Sequence, residues 1–225
     1  MPVLDFALLE RPPSRGIFVC LPPEIEKAIE VLPETSARFE GAIKFCWYVS
    51  ATPDVLFADE PKATRIREAF LRASLAEYVS VEDTLKRDLV KVGINKQAIR
   101  ISDLPNPLLH LMRELRNLEI HLTSSQLSKA KKDVTVILLD AEHQSQTTIW
   151  TVNDLTVEKF QELRYAKNRY SEEEIREMVN WFNEAQYDWG VPDLLFRAIV
   201  EWASAIIKTY CLAASDSGIM CRKLP

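Results

Sequence analysis

Glycine is scarce in this chain, with five residues in 225. So few permissive positions argue against a loop-rich or all-β architecture, which needs glycine at turns and bulges. Cysteine is thin as well. Cys20, Cys46, Cys211 and Cys221 are scattered, with no C-x-x-C pair and no zinc-ligand spacing. They do not make a disulfide framework, and a reducing cytoplasm is the simpler setting. Positive charge is in deficit: 28 Lys and Arg against 33 Asp and Glu leave a formal charge of -5. General attraction to nucleic acid or to an anionic membrane is therefore excluded, and any such binding needs a local basic patch.

Long apolar runs are missing too. The segment LLFRAIVEWASAIIKTYCLAAS is interrupted by Arg197, Glu201 and Lys208 and reads as a core helix, not a membrane span. The opening MPVLDFALLERPP carries Asp5 where a secretion leader would carry a positive flank, and its apolar run is short. The chain has no G-x-x-x-x-G-K-[ST] loop for a nucleoside triphosphate and no G-x-S-x-G elbow. It also has no Glu-x-x-His pair of the kind that builds a di-iron bundle, so no cofactor or metal is expected.

What the chain does hold is helix-forming sequence, rich in Ala, Leu, Glu, Lys and Arg. Pro2, Pro12, Pro13, Pro22, Pro23 and Pro33 suit an extended arm over residues 1–33, with a short helix at PPEIEKAIEVL. TSARFEGAIKFCWYVSA shows apolar residues every three or four positions, with Thr35 or Ser36 as its cap. The longest helical run begins at Glu60, admits Pro61 in its first turn and ends at Gly93, as one helix or as two broken near Ser80. ISDLPNPLL is a turn with Asn106 or Asp103 as cap.

SSQLSKAKKD reads as a polar connector, and VTVILLD with TTIWTV as a β-hairpin near 133–153 whose loop holds His143. Ser171 and Glu174 have capping-box spacing and open a helix that closes at Gly190; a last helix follows. Trp181, Phe182, Trp189, Phe196, Trp202 and Tyr210 recur there at helical spacing, as core or interface packing. The expected fold is mainly α: a four- to five-helix antiparallel bundle over 34–213 with one inserted hairpin and a tail over 214–225.

One stretch concentrates chemistry. HLMRELRNLEIHL, His110 to Leu122, contains two of the three histidines. On a wheel at about 100° per residue, the leucines share one arc, while His110, Arg113, Asn117 and His121 lie on the other side. His110 is thus expected on the polar stripe and not among the leucines. Arg116 sits at the border, roughly 140° from His121. Two groups so placed on one straight helix do not reach a common atom unless the helix breaks between them or a second copy, related by two-fold symmetry, supplies the partner.

The run RNLEIH, arginine, a polar residue and then a histidine, resembles the R-x(4–6)-H motif of the HEPN superfamily of nucleotide-binding helical bundles. The resemblance covers six residues and the all-helical pattern. It lacks the tyrosine that some toxin members carry after the histidine, where Leu122 and Thr123 stand here. It implies a metal-independent endoribonuclease active across a homodimer, in defence or stress, or else a noncatalytic protein-interaction or nucleotide-binding module with a protein partner. In the first case His121 would serve as general acid or base, because imidazole titrates near neutrality. Arg116 would clamp the phosphate with its planar fork, and Asn117 would position substrate or imidazole. Arg113, His110, Lys129, Lys131 and Lys132 would supply the local RNA-binding surface. A helix face simply wetted by solvent is the plain alternative.

Overall fold

The computed structural model describes residues 2–10, 20–51, 60–121, 127–138, 141–153 and 155–212. Its α-helices are Pro23–Ile29 (α1), Pro33–Ala51 (α2), Glu60–Lys91 (α3), Pro107–His121 (α4), Val157–Glu162 (α5), Arg164–Arg169 (α6), Glu172–Trp189 (α7) and Val191–Tyr210 (α8). Two strands, Leu127–Leu138 (β1) and Ala141–Val152 (β2), form one antiparallel hairpin between α4 and α5. The chain is a mainly helical bundle with an inserted hairpin.

Helices α2 and α3 form the longest seam, and their partners run in opposite order. Glu34 at the start of α2 accepts hydrogen bonds from Arg87 and Lys91 near the end of α3, and Tyr48 near the end of α2 packs on Phe70 near the start of α3. Between them, Ser74 donates to the Ala42 carbonyl at 2.6 Å. The first turn of α2 is closed by its neighbour: Asp88 accepts from the Thr35 amide at 2.8 Å. Thr35 and Ser36 are therefore buried first-turn residues, and neither is the cap that local sequence suggests. α3 is one helix. Ser80 makes no break, because its hydroxyl donates back to the Ala76 carbonyl at 2.7 Å and leaves the ladder intact. Gly93 ends the turn with φ +72°, while Ile94 donates back to Leu89, the six-to-one bond of a glycine-terminated helix.

α8 lies in the middle, in contact with α1, α2, α3, α4, α7 and β2. Trp202, Ile199, Ala203 and Ile206 are fully buried on it, which is why its sequence is apolar on almost every side. Of the expected arm over 1–33, the described residues 2–10 and 20–33 are folded against the helices. A 3-10 turn spans Phe6–Glu10, α1 follows, and Leu4, Leu9, Leu21, Ile29 and Leu32 all enter the core. Arg197 of α8 holds that turn by donating to the carbonyls of Leu8 and Leu9. The tail at 214–225 lies outside the described residues.

The hairpin starts earlier than its β-branched residues suggest. Leu127 pairs with Val152, so SKAKKD belongs to β1 and is no connector. His143 sits within β2 opposite Val136, not in a loop. A lone two-stranded ribbon is marginal in water, and this one is anchored at its base. Ile149, Trp150 and Val152 are buried, Arg67 lies 4.4 Å from the Trp150 ring centre, and Gln186 of α7 bonds both the amide and the carbonyl of Val152.

Candidate functional site on helix α4

Helix α4 begins as the sequence predicts, with Asn106 accepting from the Leu108 amide at 3.0 Å and Pro107 following as first helical residue. It packs against α3 and α8, with α5 and α7 on a further side. Its leucine arc is buried: Leu108, Leu111, Met112, Leu115 and Leu118 are all 5% exposed or less. The opposite arc is not wet either. His110 is 2% exposed and Glu114 1%, while Arg113, Arg116 and Asn117 are half-buried. The helix carries a polar seam inside the protein.

His110 is fixed at both ring nitrogens. Nε2 lies 2.7 Å from the Leu104 carbonyl and Nδ1 lies 2.9 Å from the Tyr170 hydroxyl. A carbonyl can only accept, so Nε2 carries the proton and Nδ1 accepts from Tyr170. Burial, set against the Leu104 bond that partly restores it, lowers the imidazole pKa to about 4. Burial also pushes the Tyr170 phenol up, with the Glu114 carboxylate adding to the effect, so it stays a donor. The expectation that His110 faces a substrate is corrected: it is a neutral core histidine whose polar atoms are both used. The wheel misplaced it because a wheel shows which residues share a face, whereas Leu104 and the end of α6 decide that this face is covered.

Glu114, four residues on, was missed from sequence. Burial raises its carboxyl above the usual range, while the Asn117 amide and the nearby Arg113 and Arg169 charges draw it back. Asn117 Nδ2 donates to Glu114 Oε2 at 2.9 Å, and Arg116 Nη1 donates to Asn117 Oδ1 at 3.2 Å. A three-residue chain, Glu114–Asn117–Arg116, thus runs along α4. Arg116 Nε is buried without a hydrogen-bond partner. So is Nη1 of Arg169, beside Tyr170, whereas Nη1 of Arg113 has no hydrogen bond but faces the Glu82 carboxylate. Leaving such donors unmatched is costly, and the groups suited to match them are anionic oxygens. The signal available in the sequence was the spacing alone: Glu114 stands i+4 from His110 and i−3 from Asn117.

The remaining expected residues scatter. Arg113 Nη1 faces Glu82 Oε1 of α3 at 3.6 Å, so its charge is matched from within. Lys132 is taken up by the end of α7, donating to the Asp188 carbonyl at 2.9 Å and to Asp188 Oδ1 at 2.6 Å. It is removed from the expected RNA surface, whereas Lys129 and Lys131 are exposed on β1. His121 is the last residue of α4, and its side chain lies outside the described residues. α4 is helical from Pro107 through His121, so it does not end between Arg116 and His121.

Among the described residues no group of three or more His, Cys, Asp or Glu is placed to hold a metal ion. Among the same residues no helix is long and apolar enough to cross a membrane. No protein family, no curated protein and no solved structure matches the chain.

Proposed function

We propose that this chain is a HEPN-like, metal-independent endoribonuclease acting as a homodimer. The observation that supports the reading best is the fixed arginine. Arg116 is held through Asn117 by the buried Glu114, and its Nε remains without a partner. An arginine so tethered has its guanidinium plane fixed in advance, and as the residue is half-buried a phosphate would meet the accessible part of the fork and not the enclosed Nε. Asn117 then serves the guanidinium, rather than the imidazole or the substrate.

In this reading the ribose 2′-oxygen attacks phosphorus, its proton passes to a base, and the phosphorus bond to the 5′-oxygen breaks as that oxygen receives a proton. His121 carries one of these transfers and Arg116 stabilises the charge on the five-coordinate phosphorus. On the unbroken α4 these two sequence positions are roughly 140° apart around one axis. A second copy facing the first, with its own Arg116 and His121, resolves that separation.

A second reading, a noncatalytic helical interaction module, draws on the thin positive surface: Lys132 and Arg113 are matched internally and the chain carries -5 overall. One experiment separates them. Mixed-sequence RNA is incubated in EDTA with the wild type, Arg116→Ala and His121→Ala, and the mass of each protein is read by light scattering. The ribonuclease reading expects dimers, with cleavage in the wild type lowered at least a hundredfold in both folded variants. No cleavage by the wild type, or equal cleavage in all three, overturns it in favour of the module.

A further inference from the structure

A cavity of about 430 Å³ is lined by Cys20 and Leu21 ahead of α1, by Glu26 of α1 and by α2 between Ser36 and Tyr48, with no α4 residue among them. Its size is within the range of small-molecule sites. The walls are apolar and aromatic: Leu21, Ile43, Trp47 and Tyr48. Trp47 is 40% exposed, an unusual state for a tryptophan in a chain that buries Trp150 and Trp202. Two carboxylates from separate helices border the same space, Glu26 of α1 and Glu40 of α2. Glu40 accepts a 3.3 Å bond from Ser36, and neither carboxylate has an ion pair among the described residues. Lys44, one turn beyond Glu40, also borders the cavity and leaves the acidic groups in the majority.

We propose that this cavity binds a small organic cation with a flat apolar body, an amine or amidine carried on an aromatic skeleton. The chemistry of the lining carries the assignment. Aromatic faces attract cations through their quadrupole, and the attraction grows as the site is desolvated. The carboxylates supply charge-assisted acceptors for N–H groups. The apolar floor of Leu21 and Ile43 takes the skeleton. An anionic ligand of the same shape meets two like charges at the rim, and a neutral one leaves them unmatched.

The test uses the full chain and three probes of one shape: 1-naphthylmethylammonium, 1-naphthylmethanol and 1-naphthylacetate, titrated by calorimetry and by ligand-observed magnetic resonance. The ammonium should bind saturably and roughly tenfold tighter than the alcohol, with the acetate weakest. In the double variant Glu26→Gln/Glu40→Gln the ammonium and the alcohol should bind alike. In Trp47→Leu both should weaken. Cys20, exposed and on the lining, gives a second readout: the ammonium probe should slow its alkylation by iodoacetamide in the wild type and not in the double variant. Both sets of substitutions are at the surface, and unchanged thermal unfolding shows that they fold. No saturable binding, equal binding of the three probes, or an ammonium preference that survives in the double variant overturns the proposal.

Discussion

Helices α4 and α7 present the same pattern in sequence, an apolar stripe with a charged flank, and the fold uses the flanks in opposite ways. On α7 the flank faces solvent. Glu172, Glu173, Arg176 and Glu177 are exposed, while Ile175, Met178, Val179 and Phe182 enter the core. On α4 both sides are covered. α3, α8, α5 and α7 pack against it and Tyr170, just after α6, meets His110, so His110, Glu114 and Asn117 must find partners inside the protein. The difference lies in what packs opposite, not in the helix. Amphipathicity reports one buried face and says nothing of the other.

If α4 is buried on both sides, its polar residues should carry far more stability than those of α7. His110→Ala leaves the Leu104 carbonyl and the Tyr170 hydroxyl without their partner and opens a cavity where the ring stood. Denaturant unfolding should show a loss of about 3 kcal/mol, from orphaned polar groups and lost packing together. A loss under about 1 kcal/mol would mean that water reaches the seam and that the contrast with α7 is false.

Acid should separate the two helices next. The folded-state pKa of His110, about 4, lies below its ordinary 6.5, so the unfolded chain binds the proton first. The stability this neutral ring contributes is present above pH 6.5 and is lost as pH falls toward 4, by about 2.5 kcal/mol at pH 4.5. Glu114 acts with the opposite sign. Its raised carboxyl favours the protonated form, so its contribution is present in acid and is lost as pH rises through its folded value. The quantity to measure is therefore the difference between wild type and His110→Gln across pH 4 to 7. A difference that does not change with pH would show that the native imidazole titrates freely.

Much of this contrast could be read in the sequence only where structure is local. Asn106 before Pro107, Ser171 with Glu174, and glycine at 93 and 190 mark helix ends by contacts within a few residues, and each stands in the structure as expected. The misses are tertiary. The start of α2 is closed by Asp88, more than fifty residues away, so its expected caps are not caps. SKAKKD is polar enough to pass for a connector and becomes a strand because Thr151, Trp150 and Ile149 pair with its first three residues. The short α5 and α6 have too few turns for a period to show. At the candidate site Arg116 and Asn117 stood out by motif, Glu114 was marked only by its i−3 spacing from Asn117, and Tyr170 is brought to them by the fold.

The capping box of α7 gives a smaller effect than the α4 seam, because its groups are exposed. Ser171 accepts from the Glu174 amide at 3.1 Å, and Glu174 accepts from the Ser171 amide at 2.7 Å. Ser171→Ala removes one of these and should cost about 1 kcal/mol by thermal or denaturant unfolding. A loss as large as that of His110→Ala would mean that the start of α7 is buried against something else.

The smallest effect belongs to Arg176, whose Nη2 meets Glu172 Oε1 at 2.6 Å one turn earlier. The geometry is as good as that of the Arg116–Asn117 contact, and the side chains are 56% and 65% exposed. Water competes for both ends and salt screens the pair, so Arg176→Ala should change unfolding free energy by no more than about 0.5 kcal/mol, less at high ionic strength. Distance alone would rank this contact beside those of the seam. If it proved equally strong, coverage by neighbouring elements would not be what distinguishes α4, and the half-buried Arg116 would lose the standing on which the proposed anion site rests.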